Sequence, residues 1–212
     1  MEDSYRHKGL RRKLVEVLKE KGISDERVLN AISQVPRHLF LDNAFIERAY
    51  EDIAFPIGAD QTISRPHTVA FQTQLLGLEK GEKVLEVGTG SGYQTSVLLE
   101  MGVKVFSVER QKELFDKTKK LLPRFGYKAK LFYGDGYKGL KAYGPFDKVL
   151  VTAGAPFVPK DLLAQLKVGG TLVIPLGDKV QVMTSIRKIG EDEYEETEFG
   201  EFKFVPLLQQ RN

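Results

Sequence analysis

The stretch KVLEVGTGSGYQ, residues 83–94, constrains the fold more than any other. Val84, Leu85 and Val87 make a short apolar run, as in a strand covered on both faces. Glycines at 88, 90 and 92 follow at once, and a helical pattern begins at Tyr93. A buried strand, a glycine turn and a helix open a strand–helix–strand unit. The glycines let the chain turn tightly and let its backbone approach a ligand. The alternation continues downstream. KVFSV (104–108), AKLFY (129–133), DKVLVT (147–152) and GTLVIPL (170–176) read as strands. Helices are predicted over Tyr93–Met101, Gln111–Phe125 and Pro159–Lys167. Such alternation implies a parallel sheet with helices on both faces.

VQVMTSIRKI (180–189) and GEFKFVPL (200–207) read as two further strands, joined by the acidic run GEDEYEETE (190–198) as a hairpin-like loop. No crossover helix has room between them, so they are expected to be antiparallel. The expected fold is α/β, a doubly wound, mostly parallel seven-stranded sheet. Upstream, three helices are predicted. The first covers Ser4–Lys21 and stops at Gly22. The second is capped by Ser24, carries Asp25 and Glu26 in its first turn and ends at Pro36. The third covers Asn43–Tyr50. Residues 1–80 are expected to form a helical extension with an active-site segment. Residues 81–212 form the ligand-binding α/β domain, and the two parts make one structural unit.

Composition removes several chemistries. The chain has no cysteine, hence no disulfide, thiol nucleophile or thiolate metal site. With histidine only at His7, His38 and His67, no metal site is expected. A net charge of +3 does not demand a nucleic-acid partner. The cluster Arg6, Lys8, Arg11, Arg12 and Lys13 reads as a solvated helix face, with RNA phosphates as the rival reading. No apolar run approaches the ~18 residues of a membrane span, and the first residues lack the apolar core of a signal peptide. A cytoplasmic monomer without a membrane partner is expected.

The glycine loop spells G-x-G-x-G. A dinucleotide fingerprint needs a glycine at position 93, where Tyr93 stands, which counts against an NAD enzyme. The second strand ends in FSVER, and Glu109 lies seventeen residues past Gly92. That places a carboxylate at the strand's carboxyl end beside the glycine loop, where it can accept ribose hydroxyls. A helix-start charge favoured by the macrodipole is the plainer reading, and both hold together. The third strand ends in FYGDG, which brings Asp135 and Gly136 to the same edge, although Asp-Gly is also a common turn pair. G-x-G-x-G after an LEV strand resembles motif I of S-adenosylmethionine-dependent methyltransferases. In that reading Asp135 bonds the adenine amino group. After the fourth strand comes TAGAP (152–156), without the Asn/Asp-Pro-Pro-aromatic motif usual in enzymes that methylate adenine or glutamine nitrogens. A carboxylate is already anionic at pH 7, so its methylation needs alignment and no strong base. A small uncharged loop suits a carboxylate acceptor.

Taken together, VPRHLF (35–40), AYEDIAFPIG (49–58), QTISRPH (61–67), VLEVGTGSGY (84–93), GDG (134–136), FDKVLVTAGAP (146–156), LLAQLKVGGTLVIPLG (162–177) and FVPL (204–207) resemble the protein-L-isoaspartate O-methyltransferase family along nearly the whole chain. Arg65 stands where glutamine or alanine is usual, and GADQ (58–61) replaces GxGQ. The resemblance implies a Rossmann-like methyltransferase fold, with an exchange in the order of the last two strands. It implies S-adenosyl-L-methionine as cofactor and S-adenosyl-L-homocysteine as product. The methyl group would pass to the free α-carboxylate of L-isoaspartyl residues in damaged proteins and peptides, and the ester would re-form a succinimide that partly opens to aspartate. Ser64 would be catalytic, orienting the acceptor carboxylate by a hydrogen bond. Thr62, Ser64, His67, Glu86, Gly88, Thr89, Gly90, Gly92, Glu109, Arg110, Asp135 and Gly136 would bind the cofactor. Ile57, Ser64, Val205 and Leu207 would meet the substrate, partly by backbone pairing. Local chemistry gives Ser64 a plainer role as well. Pro66 suits the first helical position, Arg65 before it is extended, and Ser64 falls near the cap. A methyltransferase acting on RNA or a small molecule is the alternative.

Overall fold

The computed structural model describes residues 3–210. Helix α1 (Tyr5–Glu20) is capped by Ser4, whose hydroxyl accepts the His7 N–H. The basic face of α1 is not uniformly solvated. Arg11 turns inward, is 5% exposed, and its guanidinium bonds Asp3, the Ser33 carbonyl and the Tyr50 hydroxyl. Helix α2 (Glu26–Gln34) is capped by Asp25 and not by Ser24: the Asp25 carboxylate accepts the Arg27 N–H at 2.9 Å. The N–H groups of Ser24 and Asp25 go instead to Gln74 Oε1. The third predicted helix is a 3₁₀ segment, Asn43–Arg48, started by Asp42. It has no fully buried side chain, so no apolar face drives a longer α-helix.

A hairpin absent from the sequence expectation comes next. Strands β1 (Phe55–Gly58) and β2 (Gln61–Ile63) pair antiparallel. Ala59 (φ 50°) and Asp60 (φ 54°) make the turn in the left-handed region. Glycine, asparagine and aspartate take that conformation most readily, so the GADQ departure places the alanine under mild strain. Helix α3 (Pro66–Leu76) then leads into the sheet.

The main sheet holds β3 (Lys83–Val87), β4 (Lys104–Glu109), β5 (Lys130–Tyr133), β6 (Phe146–Val151), β7 (Leu166–Leu176), β8 (Gln181–Lys188) and β9 (Tyr194–Phe202). Their order is β5-β4-β3-β6-β7-β8-β9. The first five are parallel, whereas β8 and β9 are antiparallel to their neighbours. The last two strands thus follow β7 in chain order, with β9 at the edge. The acidic run is largely strand: β9 begins at Tyr194, and Glu195, Glu196 and Glu198 pair with Arg187, Ile186 and Thr184. An edge strand tolerates charges on its solvent face, and they block further pairing. The strand stops at Phe202; Pro206 makes only an isolated bridge with Gly154. Helices α4 (Tyr93–Glu100), α5 (Lys112–Leu121) and α6 (Lys160–Ala164) complete the fold, and a 3₁₀ turn, Leu122–Phe125, extends α5. Helix α6 is shorter than predicted because Leu166 already pairs with Phe146.

Side chains alternate across the sheet. Val84, Val105, Leu150 and Val173 pack with Leu76 and Leu98 on one face. Leu85, Phe106, Val149 and Leu172 pack with Leu162 on the other. Leu14, Ile32, Phe55 and Ile63 of the N-terminal part share a third apolar cluster with Tyr93, Val97, Leu114 and Leu122.

Two glycines separate backbone strain from packing. Gly92 has φ 86°, and a Cβ there would meet Thr118 Cγ2 at 2.8 Å and Leu122 Cδ2 at 3.0 Å. Gly77 has φ 55° and open space around it. Gly77→Ala is expected to cost about 1–2 kcal/mol through strain alone. Gly92→Ala is expected to cost about 1–3 kcal/mol more through overpacking. Urea unfolding of the two variants measures the difference, and equal losses would remove the packing contribution.

Candidate active site

Strand β3 neighbours β4 on one side and β6 on the other, so the strand order reverses there. A crevice opens at such a switch point, beyond the carboxyl ends of the strands. The glycine loop lies in it, with Gly88 at φ 98° and Gly90 at φ 53°. Thr152, at the end of β6, donates its hydroxyl to the Val87 and Gly88 carbonyls at 3.0 and 2.7 Å. A Cβ on Gly88 would lie 2.4 Å from that hydroxyl, so only glycine fits. From the other side, the Thr118 hydroxyl of α5 donates to the Gly90 carbonyl at 2.7 Å.

Glu109 holds the start of α5, as its position suggests, and the glycine loop as well. Its Oε2 accepts the Gly90 N–H at 2.9 Å and its Oε1 accepts the Gln111 N–H at 2.8 Å. The carboxylate therefore ties the glycine loop to the start of α5. It also lines the cavity, and each oxygen keeps a further lone pair for a ligand.

Two cavities meet here. The first contains about 810 Å³ of empty space, part of it open to solvent. It is lined by Thr62, Ser64, Gly88, Thr89, Gly90, Glu109, Arg110, Gly136, Val205 and Leu207, all of them expected site residues. The second, about 960 Å³, also partly open, runs past Arg65, Thr68 and the segment after β9. Thr62, Ser64, Thr152 and Val205 belong to both walls.

Ser64 sits at that junction, half-buried. It is not the cap of α3. The cap position is Arg65, which makes no side-chain cap bond, and the first-turn N–H of His67 goes to Asp52 Oδ1 at 2.8 Å. Asp52 is held in turn by Lys21 at 2.6 Å. The Ser64 carbonyl accepts Arg37 Nη1 at 2.9 Å. Among the described residues the Ser64 hydroxyl makes no hydrogen bond. Asp52 has taken over the capping, and Ser64 lines both cavities with its hydroxyl unused.

Five expected residues lie outside the two cavity walls. His67 points away, its ring stacked on Phe71 and Phe202 at 5.8 and 6.5 Å, where burial lowers its pKa. Ile57 faces a third, smaller cavity behind the glycine loop, beside Leu39 and Leu114. Gly92 serves close packing against α5. Asp135 accepts the N–H groups of Tyr137 and Gln210, one on each oxygen, at 2.9 and 3.1 Å. Glu86 is buried beneath the loop and accepts the Thr95 hydroxyl at 2.6 Å. Val205 and Leu207 line the first cavity, but the Val205 carbonyl and the Leu207 N–H already pair with Gly154, so they are not open to a substrate strand.

Sequence reasoning missed two groups, Gln94 and Thr152. Gln94 lines the first cavity, donates Nε2 to Thr73 and leaves a buried Oε1 without a partner. Arg110, an expected residue, bonds the Gln210 carbonyl through Nε and likewise leaves a buried Nη1 unpartnered. Buried orphan groups at a cavity wall are what a polar ligand satisfies. Thr152 is the second missed group. Its place at the carboxyl end of β6 was the available signal, as was the place of Gln94 in the first turn after the loop. Asp3, His7 and His38 also approach within 4.8 Å of one another, away from both cavities. Arg11 occupies both Asp3 oxygens, and the two imidazoles are stacked at 3.7 Å, so their in-plane lone pairs do not converge.

Glu86 provides a pH test. Burial, aided by the nearby Glu109 charge, pushes its carboxyl up to about 7 from an ordinary 4.5. Between these values the unfolded chain releases the proton and the folded chain keeps it, so native stability falls as pH rises through that window. Glu86→Gln keeps an acceptor for Thr95 and removes the penalty. The stability difference, variant minus wild type, is expected to grow by up to about 3 kcal/mol from pH 4.5 to 7.5. A flat difference in denaturant unfolding would return Glu86 to an ordinary carboxyl.

A model of the family described as protein-L-isoaspartate(D-aspartate) O-methyltransferase (PCMT) matches residues 9–212. A protein-L-isoaspartate O-methyltransferase of Christiangramia forsetii is 61% identical over 213 residues, covering 100% of each chain. A solved protein-L-isoaspartate O-methyltransferase structure is 30% identical with a TM-score of 0.84, covering 92% of this chain and 65% of that one. The Plasmodium falciparum β-aspartate methyltransferase (PCMT), solved with S-adenosyl-L-homocysteine, is 27% identical with a TM-score of 0.81, covering 93% of this chain and 98% of that one. With the family match running from Gly9 onward and a relative of this identity along the full length, the protein belongs to the protein-L-isoaspartate(D-aspartate) O-methyltransferase family.

Proposed function

We propose that this protein transfers the methyl group of S-adenosylmethionine to the free α-carboxylate of L-isoaspartyl residues in proteins and peptides. That step begins repair through a succinimide. The observation that carries the site assignment is the unused Ser64 hydroxyl at the junction of two cavities. One cavity has the glycine loop and Glu109 for a nucleoside, and the other is open to a polypeptide.

The residues present fit the cofactor. Glu109 would hold the ribose hydroxyls with its remaining lone pairs, the backbone of Gly88–Gly90 would approach the ligand closely, and the orphan groups of Gln94 and Arg110 would be satisfied. The bound cofactor supplies an electrophilic methyl group on a sulfonium. Everything else is alignment. The acceptor carboxylate is ionised at pH 7 and needs no base. Ser64 would donate one hydrogen bond to one carboxylate oxygen and leave the other free to attack. A neutral hydroxyl orients the acceptor with less loss of nucleophilicity than a cation bonded directly to it. Arg37, through the Ser64 carbonyl, fixes the backbone that presents the hydroxyl. Residues 1–80 and 81–212 would act as one unit, a reading supported by their shared apolar cluster.

An amine-directed alternative asks for polar acceptors after β6. The only hydroxyl of the 152–156 loop, on Thr152, is committed to backbone carbonyls. No helix of the described residues is long and apolar enough to cross a membrane.

Labelled methyl is expected to reach an isoaspartyl peptide and not its normal aspartyl twin, and equal labelling of the two would overturn the assignment. Ser64→Ala is expected to lower kcat about 10- to 100-fold, the range for one hydrogen bond to a charged group. Calorimetry should find the affinity for S-adenosylhomocysteine within about twofold of wild type, as for an interaction made mainly with the acceptor. Unchanged kcat would leave Ser64 a purely backbone role.

A further inference from the structure

The second cavity carries charge that methyl transfer does not use. Its wall combines the start of α3 with the segment after β9 and includes Arg65, Lys203 and Glu201. Arg65 is exposed yet anchored. Its Nε donates to Thr68 Oγ1 at 3.1 Å, and its guanidinium carbon lies 5.9 Å from the centroid of the Phe202 ring. A guanidinium held through Nε still presents four N–H groups in a planar fork, which matches a carboxylate. Among the described residues neither Arg65 nor Lys203 forms a salt bridge. Asp52, which Arg65 influences through space, is already committed to Lys21 and to the His67 N–H. The one acid on the wall is Glu201.

We propose that Arg65, assisted by Lys203, forms an anion subsite in the substrate groove for a second carboxylate, the side chain of an aspartate or glutamate flanking the isoaspartyl residue. The inference rests on reading this groove as the isoaspartyl site. Arg65 adjoins Ser64 in the chain. Neighbouring residues of an extended peptide are about 3.3–3.6 Å apart along its axis. A peptide whose isoaspartyl carboxylate meets Ser64 therefore brings its flanking side chain within reach of Arg65. Glu201 opposes an acidic flank and limits the preference. Because these charges are exposed, the effect is modest and salt-sensitive.

The test compares kcat/KM for two isoaspartyl peptides that differ only in a flanking Glu or Gln. The wild-type protein is expected to prefer the Glu peptide roughly three- to fivefold at low salt, the range for an exposed charge pair, and to approach parity near 0.5 M salt. Arg65→Gln should abolish the preference while leaving the Gln peptide within about twofold of wild type. Lys203→Gln should reduce it, and Glu201→Gln should enlarge it. Equal wild-type rates at low salt overturn the subsite, and so does a preference that survives Arg65→Gln. If neither peptide is methylated, the proposed function falls and the subsite falls with it. The failure of the subsite alone is therefore distinguishable.

Discussion

Arg37 has no exposed surface, and the architecture of the site depends on what surrounds it. Its guanidinium donates to the Ser64 carbonyl at 2.9 Å and the Ile53 carbonyl at 3.1 Å, and lies 4.8 Å from the centroid of the Tyr93 ring. Those contacts join three parts: the turn after α2, the segment that carries Ser64, and the first residue of the helix after the glycine loop. Burial pushes the Arg37 pKa down to about 10, so it remains a cation at neutral pH. A buried cation is tolerated where carbonyl oxygens and an aromatic face replace its water. Tyr93, the residue that breaks the dinucleotide fingerprint, supplies that face. The position that argues against NAD is thereby part of the support for the segment that carries Ser64.

The two acids of the crevice divide their work by environment. Glu109 stands at the cavity wall, stabilised by two backbone N–H groups, and is placed to meet a polar ligand. Glu86 lies one layer below, bonded to the Thr95 hydroxyl, and burial keeps its carboxyl largely protonated at mildly acidic pH. Two full carboxylate charges this close beneath one loop would repel each other, and the raised pKa of the buried one relieves that conflict. The chemistry beside them needs no base. The chain's contribution is geometry: a loop pinned by Thr152 and Thr118, and a hydroxyl left free at the meeting of two cavities.

Much of the fold is legible in the sequence because strand–helix alternation and the glycine turn are local patterns. The parallel strands, the helices between them and the antiparallel final pair follow from periodicity and connection length. The misses share one physical origin. The cap of α3 comes from Asp52, fifteen residues upstream of the N–H it accepts. Arg37 reaches Ser64 across twenty-seven residues. The β1–β2 hairpin hides because its turn is Ala59–Asp60, without the glycine that marks such turns. Arg11 looked solvated in a basic run, yet Asp3, Ser33 and Tyr50 draw it inward. Gln94 is marked chiefly by an oxygen left without a partner, a property of the folded assembly.

By itself the sequence determined a doubly wound sheet, a glycine loop at its carboxyl edge and an acid in register beside that loop. Backbone conformation and apolar periodicity act over a few residues, so they can be read from order alone. Tertiary structure decided which polar groups remain for a ligand. It turned His67 toward Phe71 and Phe202 and left the Ser64 hydroxyl without a partner among the described residues. Hydrogen-bonding groups compete for partners across the whole molecule, and that competition is settled only when distant segments meet.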